Sequence, residues 1–411
     1  MTHSSAPKQG TADAGFLNSG ERSCRCHSPG KTPTQETKEN MKQPDEPLDM
    51  IIQAADFAAR HVAARKDLQT GQEFPADIWR EMGKAGLFRA GLPESEGGDG
   101  GGHLELLRSG EAFVRSGFNL GLGMSWVFQQ MIARCVVGAF GTKEQCRQYL
   151  RAAALGNCTM SFAVSEPGRG ASPKTMVTKA QKQGESYLLD GEKTYLTNGP
   201  VADLFVVIAV TDDAAARKGF TAFIVPRGAQ GLQVTPPMPL NFLKPSPHGG
   251  IQLNHCLVPK TSVLDREGSA WEDIVVPLGE TEDVVMMGPV LGSMAAQLDL
   301  LSTAFREHST DRVLQGEWGA LHALWQALQS IAYEAAGRLD RGDESPSPLG
   351  IAFARIATEF HADVARWAQR LNIQPNERFG LLQKDMEFLE MLQKRRLQIR
   401  QEKIGGALLK T

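Results

Sequence analysis

Three places in the 411-residue chain concentrate side chains able to do chemistry. The first is Ser161-Phe-Ala-Val-Ser-Glu-Pro-Gly-Arg-Gly-Ala171, which sets an aromatic ring and hydroxyls beside two glycines. The second, Leu189-Asp-Gly-Glu-Lys-Thr-Tyr195-Leu-Thr197-Asn198-Gly199, again joins an aromatic ring to hydroxyls. Rings and hydroxyls so spaced can wall a flat ligand, and they equally suit the core aromatics of a sheet. The third is Glu280-Thr-Glu282-Asp283. A carboxylate raised in pKa by a dry pocket can take a proton as a general base, while the same acids also suit the positive end of a helix dipole.

Other chemistries find little support. The chain has no G-x-S-x-G and no H-x-x-x-H, so nucleophile-elbow and metal-hydrolase readings are set aside. His103, His322 and His361 read as surface or satisfied helix residues, and no metal site is expected. Cys24, Cys26 and His27 could touch a metal but fall in a segment without apolar periodicity. The six cysteines form neither a disulfide framework nor paired zinc ligands, which fits a reducing, cytoplasmic compartment. The glycine-rich stretch from Leu92 to Gly102 follows no apolar strand and precedes no Lys-Ser/Thr pair, so it reads as a loop between helices. Lys+Arg 44 against Asp+Glu 47 leaves a net charge of −3, with no footprint for nucleic acid or an anionic membrane. No stretch approaches 18 uninterrupted apolar residues, so no membrane span is expected.

These residues need elements to hold them. Residues 1–46 are rich in Ser, Thr, Gly, Pro, Lys and Gln and are expected to be a disordered tail, with Met41 an alternative start. Over 47–158 apolar residues recur at helical spacing. Over 159–270 the pattern changes to short runs bounded by turn signals: Ser161 to Val164, Ser186 to Leu189, Phe205 to Val210, Thr221 to Val225 and Gly250 to Leu253. Asp190-Gly191 and Asn198-Gly199 supply turn chemistry, and no long helical pattern intervenes, so the sheet is expected to be antiparallel. From 271 to 411 helical spacing returns, including Val284 to Leu301, Ala320 to Ala336 and Gly350 to Leu371, with a break at Ser345-Pro346-Ser347-Pro348. The predicted class is α+β: an N-terminal helical domain, a middle antiparallel β domain and a C-terminal four-helix-bundle-like domain.

With that order, the two motif segments resemble the acyl-CoA dehydrogenase family. Ser161 to Ala171 is similar to its T/S-E-P-x-x-G-S segment, and Leu189 to Gly199 to its L-N-G-x-K-x-W-I-T-N-G segment. The resemblance runs from about Leu48 to Ala407. It implies noncovalently held FAD, a homo-oligomer (tetramer or dimer), an acyl-CoA or acyl-carrier thioester as substrate and an electron-transfer flavoprotein as acceptor. An isoalloxazine ring needs a flat apolar or aromatic wall and donors along its N1/O2 to N5 edge, where reduction leaves negative charge. By resemblance Phe162, Val164 and Ser165 line that edge with main-chain amides and a hydroxyl. Gly170 and Leu196 belong to the same cofactor set, Tyr195 covers the ring where relatives have Trp, and Thr197 donates near N5. Ala171 stands on the substrate side where the family usually has Ser.

The family reaction takes an α-proton while hydride leaves the β-carbon, so a carboxylate base is required. In most members it lies in Tyr-Glu-Gly-Thr; the matching position here is Gln393, followed by Lys394 and Arg395, and by resemblance Gln393, with Ala171, is expected to contact the substrate. A minority carries the base on an earlier helix, as the Glu of a Glu-Arg pair ten residues before a Gly. Glu282 stands ten before Gly292 and is the predicted base, with Asp283 in place of the Arg. Two further contacts depart from the pattern. Near His308-Ser309-Thr310-Asp311-Arg312 only Thr310 fits the segment that reaches a neighbouring subunit's FAD, and residues 368–375 contain no Gly for the pyrophosphate. The basic run Lys394-Arg395-Arg396, with Arg400 and Lys403, reads as a solvated face able to meet CoA phosphates. The expected function is FAD-dependent α,β-oxidation of an acyl thioester. The alternatives are elimination-type thioester chemistry on the same fold, or a noncatalytic paralogue partnering an intact subunit.

Overall fold

The computed structural model describes residues 49–409 except 72, 214–216, 308–309, 343–344 and 371–376. The expected tail with Cys24, Cys26 and His27, and most of the two departing C-terminal segments, lie outside the described residues.

Helices come first: α1 (Met50–Phe57), α2 (Asp67–Thr70), α3 (Ala76–Lys84), α4 (His103–Gly117), α5 (Leu120–Ile132) and α6 (Lys143–Ala154). Side-chain caps start several of them. Asn119 accepts from Leu122 N ahead of α5, and Thr142 and Gln145 form a capping box ahead of α6. The glycine-rich loop leads to the N-terminus of α4, where Asp340 accepts from His103 N at 2.6 Å and Leu104 N at 3.0 Å. A carboxylate of the chain itself thus fills the position a phosphate would need, consistent with the loop reading.

Eight strands follow: β1 (Met160–Ala163), β2 (Lys179–Gln183), β3 (Ser186–Thr197), β4 (Leu204–Asp212), β5 (Gly219–Pro226), β6 (Leu232–Val234), β7 (His248–Pro259) and β8 (Val263–Leu264). They form one sheet in the order β6-β7-β3-β2-β4-β5-β8, with β1 on β4. The sheet is antiparallel except where β1 and β2 meet β4, which they pair in parallel. A fully antiparallel sheet was the expectation; strand pairing is non-local, so turn residues do not reveal this exception. Asp190-Gly191 is also not a hairpin turn. It is a bulge inside β3, with Gly191 at φ +151° opposite Thr178, whose atoms leave no room for a Cβ.

The closing helices are α7 (Val276–Val285), α8 (Met287–Glu307), α9 (Arg312–Arg341), α10 (Ser347–Arg370) and α11 (Glu377–Leu408). The stretch from Val284 to Leu301, expected as one helix, is interrupted at Met286. Pro289 has no N–H to give the Val285 carbonyl, so the ladder lapses there and restarts. Among the described residues two helical stretches are long and apolar enough to cross a membrane, Leu120–Gly138 and Trp271–Ser302. They are 78% and 89% buried within the fold, as core helices are. α8 lies against α4 at glycine contacts: a Cβ at Gly288 would collide with the Leu107 carbonyl, and one at Gly292 with the Glu111 carbonyl. α5 packs against both β1 and α7, so one helix supports the motif strands and the acidic helix.

Candidate active site

β1 runs out at Ala163 and hands the chain to Val164, Ser165 and Glu166; β3 brings Lys193 to Thr197 alongside. A buried ion pair joins them. Lys193, fully buried, donates from Nζ to Glu166 Oε1 at 3.2 Å and to the Val164 carbonyl at 3.1 Å. Thr194 N donates to the Ser165 carbonyl at 2.9 Å. Glu166 also accepts from Val177 N at 2.9 Å and Thr178 N at 2.8 Å. Burial pushes the Glu166 carboxyl up, but its bonds to Thr178 and Val177 and the Lys193 charge outweigh that and hold it below the usual range. Burial draws Lys193 down to about 8 against the pull of Glu166. The motifs alone do not mark the pair, although a lysine at an inward position of a half-apolar strand is itself a signal that it has a partner.

Beyond the pair β3 bulges, and Tyr195 sits at φ +57° with 67% of its surface exposed. A bulky side chain held in the left-handed region costs about 1–2 kcal/mol, and such strain concentrates at functional positions. Leu196 points the other way, buried in the sheet core with Phe205 and Ile251, so only its main chain is available to a ligand. Phe162 is likewise buried, packed with Met160 and Val206. Val164, Ser165 and Thr197 are half-buried, and Gly170 and Ala171 lie in the exposed turn that follows Glu166. The Thr197 hydroxyl lies 3.3 Å from His248 Nε2, and His248 Nδ1 lies 3.2 Å from the Ser246 carbonyl. A carbonyl can only accept, so Nδ1 carries the proton and Nε2 accepts from Thr197; the hydroxyl's one proton is thereby used, which corrects the expectation that Thr197 donates near N5, and its oxygen keeps lone pairs for another donor. Burial lowers the His248 pKa, in keeping with a neutral ring. Asn198 ends the strand at φ +62° and donates to the Ser125 carbonyl at 3.0 Å, tying the wall to α5.

Glu282 occupies the last turn of α7. Arg396 of α11 reaches it at 3.3 Å, Asp283 at 3.0 Å and the Gly279 carbonyl at 3.0 Å; Arg400 pairs with Asp283 and donates to the Gly279 carbonyl at 3.2 Å. Asp283 is therefore no uncompensated like charge beside Glu282. Arg396 and Arg400 engage α7, which corrects their reading as a solvated, phosphate-meeting face. Gln393 lies exposed on α11 and shows no polar contact among the described residues. Asp385, also on α11, accepts from Leu243 N at 2.5 Å, and burial raises it to about 7. No group of three metal-ligating side chains occurs among the described residues. His103 pairs with Asp340, His361 with Glu390, and His322 stacks edge-on against Trp318. A cavity of about 620 Å³ lies between Gly71, Glu73, Phe74 and Ala76 and the segment from Gln233 to Pro247; Ser246 lines it, but none of Tyr195, Thr197 or Glu282 does.

One wall carries an exposed aromatic ring, two hydroxyls and main-chain groups; Glu282 stands apart from it on α7, linked only through α5, which packs against both β1 and α7. Residues 45–157 match the acyl-CoA dehydrogenase N-terminal domain and 161–256 the acyl-CoA dehydrogenase middle domain. Among relatives, the mitochondrial isovaleryl-CoA dehydrogenase of Arabidopsis thaliana is 29% identical over 300 residues, 71% of this chain and 73% of its own length. The L-prolyl-[peptidyl-carrier protein] dehydrogenase of Pseudomonas fluorescens is 28% identical over 292 residues, 69% of this chain and 76% of its own. The solved butyryl-CoA dehydrogenase from Megasphaera elsdenii superposes with a TM-score of 0.77 at 21% identity, covering 90% of this chain and all of that one. In fold, motif order and sequence, the chain belongs to the acyl-CoA dehydrogenase family.

Proposed function

We propose that the chain is an FAD-dependent oxidoreductase that removes an α-proton and a β-hydride from an acyl thioester. One observation carries the reading: the buried Glu166–Lys193 pair binds the two motif segments into a single wall that holds the Tyr195 ring exposed on strained backbone. The donor set fits a flavin. Val164, Ser165 and Tyr195 would hold the ring, with the Thr197 oxygen near it, and Gly170 and Ala171 would flank the cofactor and thioester. FAD, when bound, supplies the hydride acceptor.

The remaining work falls to the chain. Glu282 takes the α-proton on its carboxylate. Arg396, touching both Glu282 and Asp283, balances their charge. Gln393 is an amide and cannot accept a proton at useful pH, so it has no part in that step. The thioester is carried by CoA or a carrier protein, an electron-transfer flavoprotein takes up the electrons, and the working form is a homo-oligomer. Support for the thioester carrier comes from the relatives, one a CoA-thioester dehydrogenase and the other a dehydrogenase of a peptidyl-carrier protein thioester.

The test is anaerobic bleaching of the reconstituted yellow protein by a panel of acyl thioesters. Bleaching lost in Glu282→Gln and kept in Gln393→Ala is the expected result. A protein that FAD cannot reconstitute would sink the reading, and bleaching that survives Glu282→Gln rejects the base.

A further inference from the structure

Lys193 places an ammonium one peptide unit away from the Ser165 N–H. Its Nζ donates to the Val164 carbonyl at 3.1 Å, and that carbonyl and the Ser165 N–H belong to the same conjugated amide. A cation at the oxygen draws density from the nitrogen, and hydrogen bonds in such a chain strengthen one another by roughly 10–30%. The effect is largest away from water, and Lys193 is fully buried with Glu166 2% exposed. The Ser165 N–H has no acceptor among the described residues. Both flanks of that peptide are fixed: Thr194 N holds the Ser165 carbonyl at 2.9 Å, and Val177 N and Thr178 N hold Glu166.

A buried ion pair is weak ground for stability alone, since apolar residues of similar shape often serve as well or better. The placement of this one beside an unpartnered, polarised donor points to a further use. We propose that Lys193 is a positioning residue that orients and sharpens the Ser165 N–H as a donor to a flat, electron-accepting ring seated against Val164 and Tyr195, making that ring easier to reduce. This rests on the flavin reading above.

The experiment uses full-length apoprotein, titrated with FAD by quenching of flavin fluorescence, followed by a midpoint potential against a reference dye and a thermal melt of the apoprotein. Lys193→Met with Glu166→Gln removes both charges and keeps an acceptor for Val177 N and Thr178 N. That double variant is expected to melt near wild type, to bind FAD about tenfold more weakly or worse, as loss of a charge-assisted bond predicts, and to hold it at a more negative potential. Lys193→Arg, which retains the cation, is expected to recover part of both. A folded double variant with wild-type affinity and potential overturns the proposal. Should the double variant not fold, Lys193→Met alone is read in its place, and an unchanged potential and FAD affinity in that charge-removing variant also overturn the proposal. If wild-type apoprotein itself takes up no FAD, the flavin reading fails first and the proposal with it, an outcome distinct from normal wild-type binding with indifferent variants.

Discussion

Arg396 lies 3.3 Å from Glu282 and 3.0 Å from Asp283, so one guanidinium on the last helix spans two adjacent carboxylates on α7. The reach depends on α11 running unbroken from Glu377 to Leu408. Lys394 and Arg395 are both good helix formers, and the helix continues through them. Arg396 and Arg400 are four apart and therefore share a face.

Replacing Arg396 with Gln should lower kcat with acyl thioester by about two- to fivefold and leave KM nearly unchanged, the range expected of partly exposed pairs. The loss should narrow in high salt, where the wild-type pairing is screened. Steady-state kinetics at two ionic strengths check both, and an unchanged kcat removes Arg396 from the reaction.

Breaking the helix should have a wider effect. Arg395→Pro removes an N–H and clashes with the Met391 carbonyl, at about 3 kcal/mol. Hydrogen exchange over residues 396–408 should accelerate sharply while α8 and α9 stay protected; uniform protection along α11 would show that the helix does not depend on its continuity.

Buried Asp385 makes stability depend on pH. Burial raises it to about 7 from an ordinary 3.8, so between those values the folded chain keeps a proton that the unfolded chain has released. Stability contributed by that proton is complete below about pH 4 and is lost as pH rises toward 7. Asp385→Asn keeps an acceptor for Leu243 N and removes the slope. Melts at pH 5 and pH 8 should show the variant gaining on wild type at the higher pH; parallel shifts at both would contradict the assignment.

Tyr195 sets local strain against ligand contact. Tyr195→Gly relieves about 1–2 kcal/mol of left-handed strain, offset in part by greater freedom in the unfolded chain. The apoprotein should melt no lower than wild type while its FAD affinity falls. A variant that binds FAD normally would leave the exposed ring without a role at the cofactor.

The sequence made much of this legible because the motif strands are short apolar runs between turn residues, and Glu282 stands at a fixed distance from Gly292. What stayed hidden was non-local. Nothing near Ser161 says that β1 pairs with β4 in parallel, and Asp190-Gly191 has the same composition whether it turns a hairpin or bulges a strand. Arg396 looked solvated because its partners lie more than a hundred residues earlier. Lys193 stands in its motif without a visible role, since its partner, Glu166, lies on another segment and only the fold makes both buried.

Gly288 supplies a packing check on the acidic helix. Gly288→Ala would drive a methyl into the Leu107 carbonyl, and overpacking of this kind costs about 1–3 kcal/mol. Denaturant unfolding should report that loss, and kcat should fall with it because α7 is carried on α8. A neutral Gly288→Ala would mean the two helices have slack.

The interruption at Pro289 has a consequence for how the chain can change over evolution. An α-helix turns about 100° per residue, so a single insertion between Val276 and Thr281 would swing Glu282 away from Arg396, whereas a residue gained in the loop before α10 would rotate nothing. The short segment between Trp271 and Pro289 acts as an indexed shaft: its length in residues is its angular setting, and drift in this lineage should substitute residues there but rarely add or remove one.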